Sequence, residues 1–119
     1  MSRAGSIWRE GQCLWPRARK AMDPWSRARG LLGRRQLSTD EALWLSPCGA
    51  VHMWGMAFAL DLVWLDAEGR ILELRPHLRP WRWAWPRAAR VRDTLELRAG
   101  EILHRELQIG QILQWRAQS

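Results

Sequence analysis

The sequence predicts a mainly β or α+β fold, in the form of a small barrel-like single domain with one or two short helices. Short apolar runs of strand length recur along the 119-residue chain, and turns rich in glycine and proline separate them. Apolar residues make up 47% of the chain, which is enough to build one hydrophobic core without disulfide or metal cross-links. We therefore expect a compact domain of short strands and tight turns.

The beginning of the chain is predicted to stand apart, as a basic arm or hairpin at residues 1–20 in front of a compact domain at residues 21–119. Residues 6–9 and 13–15 are short strand-like runs on either side of a glycine turn. Pro16 is expected to limit the second of these strands, because proline cannot donate a ladder hydrogen bond.

The excess positive charge lies in the first third of the chain. Residues 1–40 carry nine basic and three acidic residues, a net charge of +6, whereas residues 41–119 carry ten and nine, a net charge of +1. A basic arm can hold an anion, a nucleic acid or an acidic partner, and it can equally serve solubility alone. Nucleic-acid binding is therefore an alternative that the charge does not favour by itself.

Two helices are predicted, one before the central strands and one near the C-terminus. Asp23 is a suitable N-cap with Pro24 at the first helical position, and apolar residues continue at helical spacing to Leu32 before Gly33 ends the helix. Residues 101–107 are predicted to form the second, shorter helix.

Five strands are predicted in the compact part of the chain, at residues 42–45, 60–65, 71–74, 94–97 and 112–115. The second of them is apolar on both faces, so we expect other elements to cover it on both sides. The turn at residues 66–69 ends with Gly69, a residue suited to the left-handed conformation, which predicts a hairpin with the third strand.

The central stretch holds the one closely spaced set of chemically interesting side chains: Cys48, His52, Met56 and Asp61. A thiolate, an imidazole and a thioether are soft ligands that would suit copper(I). The alternative is structural, because buried cysteine and methionine are ordinary core residues. Asp61 has a functional and a structural interpretation too. In the first its carboxylate lines a pocket beside His52, and in the second an arginine, His52 or backbone N–H groups bind the carboxylate within the fold.

Tryptophans and arginines alternate in a later stretch, which contains Arg79, Trp81, Arg82, Trp83, Trp85 and Arg87. In an extended conformation the three tryptophans would share one face. Such a set resembles a stacking platform with phosphate-binding charges, and it resembles equally a protein-binding edge, because tryptophan and arginine are favoured at binding hot spots. Packing in a tryptophan-rich chain is the structural alternative. It is favoured for Trp81, whereas Trp83 and Trp85 stay open between packing and binding.

The sequence also resembles the domain-of-unknown-function 192 family over residues 20–116. The residues that carry the resemblance are Arg29–Arg34, Pro47–Cys48, His52, Gly55–Met56, Leu60–Asp61, Leu65–Asp66, Gly69–Arg70, Pro80–Arg82, Leu95–Gly100 and Ile109–Gly110. The resemblance implies a small β-rich, barrel-like domain, and it supplies no reaction. The chain departs from the pattern at Met53, where threonine is common, and at Gln111, where aspartate is common.

The leading hypothesis is a non-enzymatic binding or accessory module with a pocket near the central stretch, in contact with a small ligand or a protein partner. The sequence favours a non-enzyme over an enzyme that uses Cys48, His52 and Asp61 as nucleophile, base and orienting group. The three residues lie within one local segment and no oxyanion-hole loop is evident, so the enzyme stays the less favoured alternative. No cofactor is expected. The alternatives are nucleic-acid binding through the basic arm and the tryptophan–arginine stretch, and a soft-metal site.

The chain is expected to be a cytosolic monomer. Its N-terminus lacks the apolar segment of a secretion signal, and no window approaches the roughly 20 apolar residues of a membrane span. Cys13 and Cys48 should then be free thiols, because the cytosol keeps thiols reduced.

Overall fold

The computed structural model describes residues 2–22, 37–47, 51–52 and 58–118. The helix predicted from Asp23 lies outside these residues. Within them the chain forms nine strands and one helix. These elements are β1 (Ser2–Arg9), β2 (Gln12–Ala21), β3 (Glu41–Leu45), β4 (Val51–His52), β5 (Leu60–Leu65), β6 (Ile71–Leu78), β7 (Trp83–Ala84), β8 (Asp93–Arg98), α1 (Glu101–His104) and β9 (Gln114–Ala117).

Seven strands form one sheet in the order β6-β5-β8-β3-β2-β1-β9, and β4 pairs with β7 in a separate two-stranded sheet. Neighbours in the large sheet are antiparallel except β2 and β3, which run parallel. The prediction of a mainly β domain with a short helix is confirmed.

The two edges of the large sheet meet only at one end. Ile71 N donates to the Gln111 carbonyl (2.8 Å) and Leu113 N donates to the Gly69 carbonyl (2.9 Å). Arg70 and Ile112 form an isolated bridge beside these bonds. No ladder joins the described parts of β6 and β9, so the sheet is not closed and the barrel-like description applies only loosely.

β1 and β2 form the predicted hairpin, and both strands are longer than the sequence indicated. Glu10 and Gly11 make a two-residue turn with φ values of 50° and 77°, as a hairpin turn with two left-handed residues requires. β2 continues through Pro16 because the register with β1 shifts between Gly5 and Ile7, and proline is tolerated at such a bulge. The hairpin lies inside the large sheet, between β3 and β9.

β5 separates two hydrophobic clusters, and all six of its residues are buried. Val63 and Leu65 pack into one cluster with Trp15, Trp44 and residues of β8. The alternate residues Leu60, Leu62 and Trp64 pack into the other cluster. The prediction that this strand is covered on both faces is confirmed.

The C-terminal elements differ from their predicted bounds. The second helix ends at His104, and the last strand begins at Gln114 instead of at residue 112. Ile112 and Leu113 are instead held by their contacts with Arg70 and Gly69 at the meeting of the sheet edges. The hydrogen bonds that join the two sheet edges therefore determine where the pairing of β9 with β1 begins.

Among the glycines that the structure describes, Gly69 is the one that we expect to tolerate a side chain least. Its φ is +83°, and a Cβ there would lie 2.3 Å from the Leu113 carbonyl oxygen. Gly11 has a similar φ of +77° but open space around it, so Gly11→Ala is a matched control. We expect Gly11→Ala to lower the free energy of unfolding by about 1 kcal/mol and Gly69→Ala by about 2 kcal/mol or more, measured by urea unfolding. Equal losses would show that the Leu113 contact is unimportant.

Candidate functional site

Asp61 is buried in β5, and backbone N–H groups satisfy its carboxylate. One oxygen, Oδ1, accepts a hydrogen bond from His77 N (2.9 Å), and Oδ2 accepts from Gly100 N (3.0 Å) and Ile102 N (2.9 Å). The side chain thus fastens the end of β6 and the first turn of α1 to the central strand. With Asp61 only 1% exposed, these contacts favour its structural interpretation over the pocket interpretation.

The rest of the predicted central group is not assembled in the described part of the chain. Cys48 and Met56 lie outside it. His52 belongs to β4, where its backbone pairs with Trp83 of β7. Among the described residues there is no group of three or more His, Cys, Asp or Glu side chains that could hold a metal ion. The soft-metal site therefore stays a prediction.

Two of the three predicted tryptophans stack on each other at the surface. Ala84 of β7 is buried in the second hydrophobic cluster, and because side chains alternate along a strand, its neighbours Trp83 and Trp85 point outward. Their ring centroids are 5.8 Å apart with an interplanar angle of 9°, and the residues are 45% and 64% exposed. Trp81 is also exposed, but its φ of 65° shows that the backbone is not extended through all three residues.

The arginine charge around these tryptophans extends beyond Arg79, Arg82 and Arg87. Residues 75–92, which we call the Trp/Arg segment, contain six arginines, one histidine, three tryptophans and no acidic residue. Its arginines are all exposed: Arg75, Arg79, Arg82, Arg87, Arg90 and Arg92. Within the described residues, one of the six arginines has a carboxylate oxygen within 4.0 Å. It is Arg92, whose Nε lies 3.9 Å from Asp93 Oδ1.

Two acidic residues bound the Trp/Arg segment, and neither compensates its charge to a large extent. Glu73 Oε1 accepts hydrogen bonds from Arg87 N (2.7 Å) and Ala88 N (2.8 Å), so this carboxylate holds the backbone of the segment on β6. Asp93 is buried at the start of β8. The signal that sequence reasoning missed was the absence of acidic residues between these two positions.

Glu101 is a buried carboxylate that the sequence did not single out. It accepts hydrogen bonds from Trp15 Nε1 (3.0 Å), Thr39 Oγ1 (2.9 Å), His104 Nδ1 (2.8 Å) and Arg105 Nε (3.0 Å). Burial opposes its ionisation, but these hydrogen bonds outweigh burial and hold the pKa of Glu101 below its usual value. The network joins α1, β2 and the residues before β3, so it is structural.

An exposed pair before β3 has a stronger pKa shift. Arg17 donates two hydrogen bonds to Asp40, from Nε (3.0 Å) and from the guanidinium nitrogen Nη2 (2.9 Å). Together with a hydrogen bond from Ser38, this contact lowers the pKa of Asp40 to about 2. The pair joins β2 to the residue that precedes β3. It also neutralises one of the arginines that give the N-terminal third of the chain its excess positive charge.

Two solved structures share this fold. One, from Sinorhizobium meliloti 1021, is described as a proposed transcription regulator: it is 22% identical, the match covers 97% of this chain and 94% of that one, and the TM-score is 0.78. The other is a protein of unknown function from Novosphingobium aromaticivorans DSM 12444, 18% identical over 94% of this chain and 84% of that one, with a TM-score of 0.77. At these identities the likeness shows the fold alone.

The family profile DUF192, described as an uncharacterised ACR, matches residues 6–115. The chain therefore belongs to the domain-of-unknown-function 192 family, and the resemblance seen in the sequence is confirmed. No curated protein matches the chain. Within the described ranges, no helix has the length and apolar character needed to cross a membrane.

Proposed function

We propose that this domain is a non-enzymatic binding module that holds single-stranded nucleic acid on the Trp/Arg segment. The observation that carries the proposal is the exposed, stacked pair Trp83–Trp85 within a segment of six exposed arginines and no acidic residue. Aromatic faces beside uncompensated positive charge are the two components of sequence-tolerant binding to single strands.

The exposed tryptophans favour a single strand over a duplex. Stacking on an aromatic side chain contributes about 1–3 kcal/mol of binding free energy for each base. It needs a base whose face is free, and in a duplex the neighbouring base pairs cover these faces. Trp85 is 64% exposed and has one face against Trp83, so its other face is the natural position for a base. Two parallel rings at 5.8 Å leave no room for a base between them, so we expect stacking on the outside of the pair.

The arginines supply the electrostatic part of the interaction. For single strands the logarithm of the affinity falls with the logarithm of the salt concentration, with a slope of about −0.7 for each phosphate neutralised. Engagement of several arginines of the segment should therefore give a steep salt dependence. The description of the Sinorhizobium protein as a proposed transcription regulator is compatible with contact to nucleic acid, and it concerns that protein.

The proposal predicts that Trp85→Ala weakens binding to a fluorescently labelled oligo(dT) about tenfold, the loss of roughly one stacked base, in fluorescence anisotropy at low salt. The double variant Arg79→Gln/Arg82→Gln should reduce the salt slope by about 1.4, because two phosphate contacts are lost. Arg3→Gln is the matched control, since Arg3 is an exposed arginine of β1 outside the segment.

A duplex of the same length should bind more weakly than oligo(dT). The proposal fails if the wild-type protein does not bind oligo(dT) at low salt, or if Arg3→Gln and the segment variants have equal effects. Binding to a partner protein in place of oligo(dT) would support a protein-binding edge instead.

Other expectations from the sequence continue as proposals. We place the protein in the cytosol as a monomer. Cys48, His52 and Met56 remain candidates for a small-ligand or soft-metal contact, whereas Asp61 has little support there because three backbone N–H groups already occupy its oxygens.

A further inference from the structure

A concave surface lies beside the point where Gly69 and Leu113 join the two sheet edges, between the turn after β5, the start of β8 and the start of β9. Its volume is about 440 Å³, within the range of small-molecule sites. We call it the Trp44–Trp115 pocket; its lining includes Lys20, Trp44, Glu68, Arg92, Asp93 and Trp115. It is a different site from the stacked tryptophan pair and does not rest on nucleic-acid binding.

Lys20 brings a cation into this pocket without a carboxylate partner among the described residues. Its Nζ lies 5.2 Å from the ring centroid of Trp44 and 5.7 Å from that of Trp115. The two rings meet edge to face, with centroids 6.2 Å apart at 72°. Cation–π attraction therefore holds the ammonium group over the aromatic lining, and its N–H groups can still bind an anion.

Asp93 brings the complementary group, a buried carboxylate oxygen that lacks a hydrogen bond. Trp44 Nε1 donates to Oδ2 (2.9 Å), which fixes the carboxylate at the pocket. In the described part of the chain Oδ1 has no hydrogen-bond partner, although it is shielded from solvent. Such an orphaned oxygen is costly and rare, so it calls for a donor. The exposed Arg92 lies 3.9 Å away through its Nε, beyond hydrogen-bond distance.

We propose that the Trp44–Trp115 pocket binds a small zwitterion of the amino-acid type. The ligand carboxylate pairs with Lys20, its ammonium group donates to Asp93 Oδ1, and its side chain packs against Trp115, which is half-buried beside the first hydrophobic cluster. The exposed Arg92 side chain turns aside to admit the ammonium group. Within the described residues, Lys20 has no carboxylate partner and Asp93 Oδ1 has no hydrogen bond, and both lie on one aromatic lining. A ligand that carries both charges complements the two groups.

The test uses the full chain and the proteinogenic L-amino acids, each titrated singly and followed by the indole N–H signals in ¹H–¹⁵N NMR spectra. The Trp44 signal is assigned with Trp44→Phe. We expect saturable shifts of the Trp44 signal for at least one amino acid. Its N-acetyl and carboxamide derivatives, which each lack one charge, should bind at least tenfold more weakly.

Two variants separate the charges from the fold. Asp93→Asn keeps an oxygen for the Trp44 bond but removes the negative charge, and Lys20→Met keeps an apolar stem over the rings. Each variant should lower the affinity for the amino acid at least tenfold and leave the melting temperature of the ligand-free protein little changed. Arg3→Gln should change neither the affinity nor the melting temperature.

Three results would overturn the proposal. They are the absence of a saturable shift with every amino acid, equal binding of the N-acetyl derivative, and equal binding to Asp93→Asn. Binding of acetate as tight as that of the amino acid would reduce the pocket to a simple anion site.

Discussion

Replacing Asp61 with alanine is expected to lower the free energy of unfolding by about 4 kcal/mol, the largest effect of any substitution that we predict. Its carboxylate is the acceptor for three backbone N–H groups, those of His77, Gly100 and Ile102. Alanine would leave these donors without a partner in partly buried surroundings, and each bond is to a charged acceptor. Urea unfolding of wild type and variant measures the difference.

Asp66→Ala is the matched control for this measurement. The Asp66 carboxylate also accepts two backbone hydrogen bonds, from Glu68 N and Arg70 N (both 2.9 Å), but in an exposed turn. We expect a loss of about 1 kcal/mol there, because water can replace the lost acceptor. If Asp61→Ala were as mild as Asp66→Ala, the carboxylate would not be structural, and the pocket interpretation of the central stretch would regain its support.

Substituting Glu101 is expected to have the second largest effect, a loss of about 3 kcal/mol for Glu101→Ala. The side chain is 3% exposed and accepts hydrogen bonds from four side chains. The buried indole of Trp15 would lose its acceptor, and the Arg105 guanidinium would lose its closest carboxylate oxygen, 3.0 Å away. The midpoint of urea unfolding at neutral pH should fall accordingly.

The same carboxylate should make stability depend on pH. Because the pKa of Glu101 is lower in the folded protein than in the unfolded chain, its contribution is complete above the unfolded pKa of about 4.3 and is lost as the pH falls through the folded pKa. Glu101→Gln cannot titrate, so the stability difference between wild type and Glu101→Gln should shrink as the pH falls below about 4.3. A difference that stays constant from neutral pH to pH about 3 would contradict this account of the network.

The sequence predicts local elements of this protein well where apolar alternation and turn residues agree. The buried strand at residues 60–65 and its hairpin turn at Gly69 follow from residues close together in the chain, and the structure has both. The predicted strand at residues 112–115 is displaced, since bonds to Gly69 and Arg70 across the seam fix its start. Such bonds join residues about forty positions apart, and a local pattern carries no information about them.

The candidate sites show the same division. The outward positions of Trp83 and Trp85 follow from alternation around the buried Ala84, but the sequence left the two tryptophans open between packing and a binding surface, because nothing local shows that Ala84 is buried in the core. The partners of Asp61 were open between arginine, His52 and backbone groups, because they come from β6 and α1, elements distant in the chain. The Trp44–Trp115 pocket was invisible in the sequence, since the topology alone brings its residues together.

Photo-crosslinking tests the central claim, single-strand binding by the Trp/Arg segment, most directly. Oligo(dT) carrying single 5-iodouracil substitutions is irradiated with the full-length protein at low salt, and mass spectrometry maps the adducts. The account predicts adducts on Trp85 or Trp83, the exposed stacked pair, that decline as salt is raised. Adducts confined to the basic N-terminal residues 2–22, or no adducts under conditions where anisotropy reports binding, would contradict it.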